Sequence, residues 1–292
     1  MDDPTFRPRR SVLYMPGSNA KALEKAKTLP VDGLILDLED SVAPGAKAEA
    51  REAVCAAAAS GAYGRRELTI RVNAADTEWH ADDLAAACAA GPDAIVVPKV
   101  DSAEAVRTLV DTLERHGAPD RTTLWAMVET PRAMLHAEEI AGASERLTVL
   151  VMGTNDLAKE LYAEHVPGRH PLLVGLSLAL LAARATGTAI LDGVYNDVKD
   201  TEGFLAECQQ GREMGFDGKT VIHPGQVEGA NAAFAPSEQA VADARGMLEA
   251  WEAGRGSGVV TYRGRMVESL HVETARRTLA IHETIAALHD DG

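Results

Sequence analysis

The chain of 292 residues is 46% hydrophobic and 25% charged, and its formal net charge is −15. This is the composition of an ordinary globular protein, and the negative charge disfavours nucleic acid and anionic membranes as partners. The length matches one barrel of eight βα units, which takes about 250 residues, with a small extension.

Eight short β-rich runs alternate with longer Ala- and Leu-rich runs of helical period. Several of the short runs are apolar throughout, as expected for parallel strands that are covered on both faces. Eight such units predict a closed (β/α)₈ TIM barrel over residues 1–235. The predicted strands are Val12–Met15, Gly33–Leu38, Leu68–Val72, Ala94–Pro98, Thr123–Val128, Leu147–Met152, Ala189–Val194 and Thr220–Ile222.

Residues 236–292 follow a barrel that is already complete, so they form a separate extension. A helix is predicted to begin after Ser237, and the glycine-rich stretch 254–258 is a predicted flexible link. The runs 259–262 and 265–267 indicate a β-hairpin, and a final helix follows. We expect this extension to act as a lid over the mouth of the barrel or to contact a neighbouring subunit.

Cysteine usage and hydropathy bear on the compartment. Cys55, Cys88 and Cys208 lie far apart and match no metal or redox spacing, which predicts free thiols in a reducing compartment. The first residues lack the apolar core of a signal peptide. The longest apolar run, 172–183, is too short to span a bilayer and predicts a buried helix. We therefore expect a cytoplasmic protein.

A cluster of basic residues lies near the start of the chain. It could form a patch for an anionic ligand, or it could be a solvated N-terminal face. Its members are Arg7, Arg9, Arg10, Lys21, Lys25 and Lys27.

Polar residues follow most of the predicted strands, where the reactive groups of such barrels lie. So many carboxylates around one rim would repel each other unless cations share the site. The residues at these strand ends are Asp37, Glu39, Asp40, Arg71, Asn73, Lys99, Glu129, Asn155, Asp156, Asp192, Asp197 and His223.

Glu129 and Asp156 are the predicted metal ligands. They end adjacent strands, which lie about 4.8 Å apart in a sheet, so both can reach one ion. Two carboxylates completed by water and substrate oxygens suit Mg²⁺, and the rim carries no His/Cys cluster that would favour zinc. Two roles are open for the basic residues of the rim. Arg71 and Lys99 could neutralise these carboxylates, or Arg71 could bind a substrate carboxylate through two hydrogen bonds. His223 fits a packed strand-end histidine as well as a functional one.

Eight segments together carry a resemblance to a known family. They are RSVLYMPGSNAKALEKA at 10–26, DGLILDLEDSVAPGAKAEAR at 32–51, IRVN at 70–73, VVPKV at 96–100, VETPRA at 128–133, GTNDLAKEL at 153–161, DGVYNDVKDTEGF at 192–204 and GFDGKTVIHPGQV at 215–227. With these segments the chain resembles the citrate lyase beta-subunit-like family of CoA-ester lyases, which includes malyl-CoA and citramalyl-CoA lyases. The resemblance covers nearly the whole chain.

The resemblance implies a TIM barrel and roles for the rim residues. Glu129 and Asp156 would bind Mg²⁺ and, through it, the substrate. Arg71 would contact substrate oxygen atoms, and Glu39 and Asp40 would surround the metal-bound waters.

The resemblance also implies how CoA binds and how the subunits assemble. Lys21, His223 and Pro224 would lie near the CoA moiety, and Asn155 is a further candidate for contact with the substrate. Members of this family form trimers or hexamers, so we expect a homo-oligomer, a homotrimer or a hexamer, whose C-terminal lid can cross to a neighbour.

The predicted lid departs from the family at one position. CoA lyases carry a motif like GKMIDxP there, whose Asp is the catalytic acid/base. This chain reads GRMVESL at 264–270, so Glu268 takes the Asp position and the proline is missing. A carboxylate is retained, and Glu268 is the expected acid/base.

These features predict a lyase that cleaves a 3-hydroxyacyl-CoA, such as malyl-CoA or citramalyl-CoA, to acetyl-CoA and a 2-oxo acid. Arg71 would stabilise the enolate oxygen, and Glu268 would protonate the enolate carbon. Three alternatives stay open. They are a metal-dependent 2-oxo-acid aldolase without CoA, a citrate lyase beta subunit acting on an acyl-carrier thioester, and a thioester-binding protein without catalysis.

Overall fold

A computed structural model describes residues 7–254 and 259–289. The chain divides into two compact units, one of which is Arg9–Ala233, while the other begins at Phe234 and includes residues 7 and 8. The sequence-based boundary at residue 235 lies close to this division. Most of the predicted glycine-rich link, residues 255–258, lies outside the described residues.

Eight parallel strands close into a barrel in chain order, because β1 pairs with β8 as well as with β2. All eight predicted strands and the TIM-barrel fold are confirmed, and the strand ends differ from the predicted ones by no more than two residues. The strands are β1 Ser11–Pro16, β2 Gly33–Asp37, β3 Glu67–Arg71, β4 Ala94–Val97, β5 Thr123–Val128, β6 Leu147–Met152, β7 Ala189–Asp192 and β8 Gly218–Val221.

Helices connect the strands, and local sequence fixes several helix starts. The Asn19 side chain accepts from the Ala22 amide, and Pro131 occupies the first turn of its helix, where a missing N–H costs nothing. The helices are α1 Ala20–Ala26, α2 Lys47–Ala59, α3 His80–Ala90, α4 Ala103–Arg115, α5 Pro131–Leu135, α6 Ala137–Ala141, α7 Thr154–Glu160, α8 Leu173–Thr186, α9 Thr201–Met214 and α10 Val227–Phe234.

The predicted buried helix at 172–183 corresponds to α8, and the prediction is wrong for one of its sides. Leu176, Ala179 and Ala183 are buried, but Val174 and Leu181 are exposed. An apolar run therefore marked the helix but did not decide which side is covered. None of the helices in the described part of the chain has the length and apolarity to cross a membrane.

Buried ion pairs lie at the amino ends of the strands. Arg9 donates to Glu67 at 2.6 and 2.8 Å, and Arg10 binds Asp32 through two nitrogens at 2.8 Å. The Arg9 guanidinium also lies 5.4 Å from the ring centroid of the buried Trp125. Arg9 and Arg10 are committed to structure at the end of the barrel opposite the strand carboxyl ends, so the hypothesis that both belong to a patch for an anionic ligand is wrong.

The C-terminal unit contains two helices and a hairpin. Its elements are α11 Glu238–Ala253, β9 Val260–Tyr262, β10 Arg265–Val267 and α12 Ser269–His289. The predicted antiparallel hairpin is confirmed, and Ser237 caps α11 as expected. The two helices pack against each other, with Val241, Ala244 and Val272 buried.

Removing one partner of the Arg9–Glu67 pair should destabilise the barrel. Arg9→Met removes a bidentate cation from the buried Glu67 carboxylate, so we expect the free energy of unfolding to fall by roughly 3–5 kcal/mol in urea titrations. Arg9→Met combined with Glu67→Leu should recover most of the loss. Lys27→Ala, which breaks a surface pair with the exposed Glu24, is the control and should unfold like the wild type. An Arg9→Met protein as stable as the wild type would contradict this account.

Candidate active site

Arg71 is held rigidly at the end of β3 by the neighbouring strand. Its Nε and Nη2 donate to the two carboxylate oxygens of Asp37 at 2.6 and 2.8 Å, because Asp37 and Arg71 face each other in the β2–β3 register. This bidentate geometry fixes the plane of the guanidinium. Nη1 lies 2.8 Å from Glu39 and 3.4 Å from the exposed Asp40. Much of the hydrogen-bonding capacity of Arg71 is therefore already used within the protein.

Asp37 is a structural partner that the sequence alone did not assign. Burial disfavours its charged form, but the charge and hydrogen bonds of Arg71 outweigh burial and lower the pKa of Asp37. Ser41 and the amide of Glu39 donate to the same carboxylate. The signal in the sequence was the strand-end position of Asp37, one strand away from Arg71.

Lys47, in the first turn of α2, fixes the loop that carries the acidic rim residues. Its Nζ donates to the carbonyls of Leu38 and Glu39 at 2.8 and 2.7 Å and to Asn73 Oδ1 at 2.7 Å. Sequence reasoning missed this residue because it lies ten positions beyond the strand. Asn73 also donates to Asp83, so its side chain stabilises the loop and is not an unpaired group at the rim.

Glu129 lies in a niche that only glycine at position 153 permits. Its side chain is almost fully buried, and Oε1 accepts from the Lys99 amide at 2.7 Å. A Cβ atom at Gly153 would come within 2.0 Å of the Glu129 Oε2 atom. Lys99 adopts a φ of 54°, a left-handed conformation that presents its N–H to the carboxylate. The ends of β5 and β6 are thus shaped around one buried acid.

Negative charge accumulates at this point of the rim. Burial, and then the charges of Asp156 and Glu39, raise the pKa of Glu129 to about 8. Burial raises the pKa of Glu39 to about 7, although the charge of Arg71 opposes the shift. Within the described residues, no Lys or Arg forms an ion pair with Glu129. A bound cation would relieve this excess of negative charge.

The predicted metal ligands fit Mg²⁺ in their chemistry. Glu129 follows β5, and Asp156 lies in the first turn of α7, directly after β6, so the two come from paired strands. Both supply oxygen, which is what this hard ion prefers. The part of the chain that the structure describes contains no group of three or more His, Cys, Asp or Glu residues placed to hold a metal. The pair therefore needs water and substrate oxygens to complete the coordination.

The other predicted contact residues are placed as follows. Asn155 is exposed, and its side-chain amide pairs with that of Asn196 at 3.0 and 2.8 Å. Lys21 is exposed on α1, and the exposed His223 accepts from the Gly225 amide at 3.0 Å through Nδ1. Because β1 and β8 are paired, Lys21 and the His223–Pro224 turn follow neighbouring strands. Their contact with CoA stays a prediction.

Two further expectations concern Asp192 and Glu268. Asp192 is fully buried in ion pairs with Arg169 at 2.6 Å and Lys219 at 3.0 Å, so it is not available at the rim as expected. Glu268 belongs to the C-terminal unit, where it is exposed and its amide donates to His271 Nδ1 at 3.1 Å. Its proposed role as an acid/base in a lid stays a prediction.

Comparison with known families gives the identity of the fold and the class of enzyme. The family described as HpcH/HpaI aldolase/citrate lyase matches residues 10–224. The chain belongs to this family. A second family, described as C-C bond lyase of the TIM-barrel fold, matches residues 174–284. The prediction of a citrate lyase beta-like enzyme of the carbon–carbon lyase class is confirmed.

Individual relatives match over nearly their full length. A (3S)-malyl-CoA thioesterase of Cereibacter sphaeroides is 51% identical over 96% of both chains. The citrate lyase subunit beta of Escherichia coli is 38% identical over 94% of this chain and 93% of its own. A crystal structure of CitE from Mycobacterium tuberculosis in complex with magnesium, acetoacetate and coenzyme A is 30% identical, with a TM-score of 0.74, and covers 96% of this chain and 98% of that one.

Mg²⁺ binding should release a proton near neutral pH. Because the pKa of Glu129 is raised to about 8, this carboxyl is mostly protonated at pH 7 and must ionise to bind the ion. Below that pKa, the affinity should fall by roughly tenfold for each pH unit. Isothermal titration calorimetry with MgCl₂ in two buffers of different ionisation enthalpy measures the release.

Glu129→Gln should abolish both the binding and the proton release. Gln replacing the exposed Glu139 on α6 is the matched control and should bind like the wild type. Equal Mg²⁺ affinity at pH 6.5 and 8.5 would contradict the coupling.

Proposed function

We propose that this enzyme cleaves the carbon–carbon bond of a 3-hydroxyacyl-CoA thioester of the malyl-CoA or citramalyl-CoA type, giving acetyl-CoA and a 2-oxo acid. The observation that carries the proposal is the buried Glu129, which forms no ion pair with a described lysine or arginine and lies near the charge of Asp156 and the clamped Arg71. Such a site suits a metal-bound oxyacid. The names of the relatives support a CoA thioester as the substrate class.

Glu129 and Asp156 would hold Mg²⁺, which supplies a Lewis acid and a template for the substrate oxygens when bound. Arg71 would face the substrate with a guanidinium whose plane Asp37 fixes, so its charge is already oriented toward an oxygen that becomes negative. Preorganisation of this kind costs no rearrangement during the reaction.

Glu39 is the rim residue best suited to take the proton of the substrate hydroxyl. Its pKa of about 7 lies near neutral pH, where a general base works best. Asp40 is exposed and 3.4 Å from Arg71, so it would adjust the charge around Glu39 rather than accept the proton itself. Glu268 would then protonate the enolate carbon to give the methyl group of acetyl-CoA.

Thioester hydrolysis is a second candidate, favoured by the 51% identical malyl-CoA thioesterase. It is not among the alternatives that the sequence suggested. In that reaction water attacks the thioester carbonyl, the C–S bond breaks, and malate and free CoA leave. The two reactions share a substrate and differ in their products, so they can be separated directly.

The finer features of the proposal concern CoA and assembly. We place the CoA moiety near Lys21, His223 and Pro224, supported by the family likeness to a CitE structure that holds CoA. We propose that the enzyme works as a homo-oligomer, a trimer or a hexamer, with the C-terminal unit as a lid. An aldolase without CoA and a subunit that acts on a carrier-bound thioester are the alternatives, and the citrate lyase subunit relative supports the second.

A panel of CoA thioesters with Mg²⁺, with products identified by mass, tests the proposal. Malyl-CoA should give acetyl-CoA and glyoxylate if the enzyme is a lyase, and malate and CoA if it is a hydrolase. Glu129→Gln and Asp156→Asn should lose at least a hundredfold in kcat while they unfold like the wild type. Glu139→Gln should keep full activity. Turnover of free 2-oxo-acid aldols in place of every thioester would instead support the aldolase.

Glu268 has a separate test, because glutamate is one methylene longer than the aspartate of the family motif. If Glu268 is the acid/base, Glu268→Gln should lower kcat by roughly 10²- to 10⁴-fold and leave Mg²⁺ affinity unchanged. Glu268→Asp should keep or raise activity if the shorter side chain restores the motif, and lose an intermediate amount if the hairpin has adjusted to glutamate. Wild-type kinetics in both variants would remove Glu268 from the mechanism.

A further inference from the structure

Three side chains from alternate strands form one layer inside the barrel, directly below the acidic rim. They are Tyr14 of β1, Arg71 of β3 and Met127 of β5, as expected for a barrel whose interior layers come from alternate strands. The guanidinium of Arg71 lies 4.8 Å from the Tyr14 ring centroid and 3.8 Å from the Met127 sulfur. Arg71 and Met127 are buried, whereas Tyr14 is half-buried. Tyr14 is therefore the member of this layer that solvent reaches.

The Tyr14 hydroxyl has an unusually poor partner. Its recorded contact is the Met127 sulfur at 3.9 Å, and a thioether is a weak acceptor. Among the described residues, it forms no hydrogen bond to a nitrogen or oxygen atom. Tyrosine hydroxyls in largely buried positions normally find a polar partner. Arg71 is in the opposite situation, because Asp37 and Glu39 already occupy three of its nitrogens.

The position of this hydroxyl matches the size of a small acyl substrate. Met127 lies near the end of β5, two residues before Glu129, which follows the strand; two residues span about 7 Å of extended chain. The hydroxyl beside Met127 is thus roughly one small carboxylic acid away from the rim where Glu129 lies. Burial raises the pKa of Tyr14, although the charge of Arg71 opposes the shift, so the hydroxyl keeps its proton and can donate.

We propose that Tyr14 is a substrate-binding catalytic residue, whose hydroxyl donates a hydrogen bond to the substrate oxygen that becomes negative next to Arg71. Its ring keeps Arg71 in place, and its hydroxyl supplies the donor that the clamped guanidinium lacks. The inference rests on the proposed function, because it takes the acyl part of the thioester as the ligand. It adds a residue that holds the oxygen without taking or giving a proton.

Tyr14→Phe is the decisive variant, because it keeps the ring against Arg71 and removes the hydroxyl alone. We expect kcat/KM for the best thioester of the panel to fall by roughly tenfold to a hundredfold, the cost of one hydrogen bond to a charged oxygen. Mg²⁺ affinity and the unfolding midpoint should stay at wild-type values. Tyr14→Leu, which also removes the ring, should lose more. Tyr63→Phe is the matched control, because it deletes a hydroxyl that donates to the Leu23 carbonyl, and it should keep full activity.

A binding measurement separates this inference from the proposed function. Calorimetric titration of the Mg²⁺-loaded protein with glyoxylate or pyruvate should give about tenfold weaker binding in Tyr14→Phe than in the wild type or Tyr63→Phe. If the wild type turns over no thioester, the proposed function fails and this titration still decides the role of Tyr14. Equal binding and equal turnover in wild type and Tyr14→Phe would overturn the inference, and a Tyr14→Leu effect without a Tyr14→Phe effect would assign the ring alone.

Discussion

The site depends on the buried pair between Asp37 and Arg71. A bidentate carboxylate holds the guanidinium in one plane, and the pair joins the ends of two adjacent strands. Two buried charges are tolerated there because each satisfies the other and Ser41 satisfies a remaining lone pair. The clamp gives the rim a fixed positive point around which Glu39 and Tyr14 are arranged. It also occupies many of the hydrogen-bond donors that Arg71 could offer a ligand, so donors on neighbouring residues become more important for binding.

The second constraint is the opposite imbalance at Glu129. Gly153 leaves room for a buried carboxylate that no described lysine or arginine pairs with, and Asp156 adds to the charge. A protein that buries an acid without a cation loses stability unless the acid stays protonated or a ligand supplies the charge. The same arrangement therefore explains the raised pKa and the fit to Mg²⁺. Asp37 and Arg71 balance each other's charge, whereas the negative charge of Glu129 and Asp156 is left for a ligand to balance.

Family membership leaves the reaction open for a chemical reason. Relatives named as a malyl-CoA thioesterase and as a citrate lyase subunit share this chain over more than nine-tenths of its length. Breaking a carbon–carbon bond and breaking a thioester bond both develop negative charge on an oxygen, and one set of donors stabilises either. The outcome then depends on whether water reaches the thioester carbonyl and on where a proton is delivered. The role proposed for Glu268 addresses the delivery of the proton, and the hydrogen bond proposed for Tyr14 stabilises the oxygen in either reaction.

The sequence by itself determined the barrel, because the order of apolar strands and helical runs has one common closed solution, and it placed Glu129 and Asp156 on neighbouring strand ends. Period and order are local properties, so they survive in a linear reading. Only the tertiary structure decided which charged side chains are already in ion pairs. Arg9 and Arg10 lie in buried pairs, and Asp192 is paired with Arg169 and Lys219. Tyr14 looked like an ordinary strand residue until closure of the barrel brought β1, β3 and β5 into one layer. Partners that lie far apart in sequence meet only when the sheet closes. For this reason the sequence predicted the type of site and its main carboxylates, but not the hydrogen bonds and ion pairs between its residues.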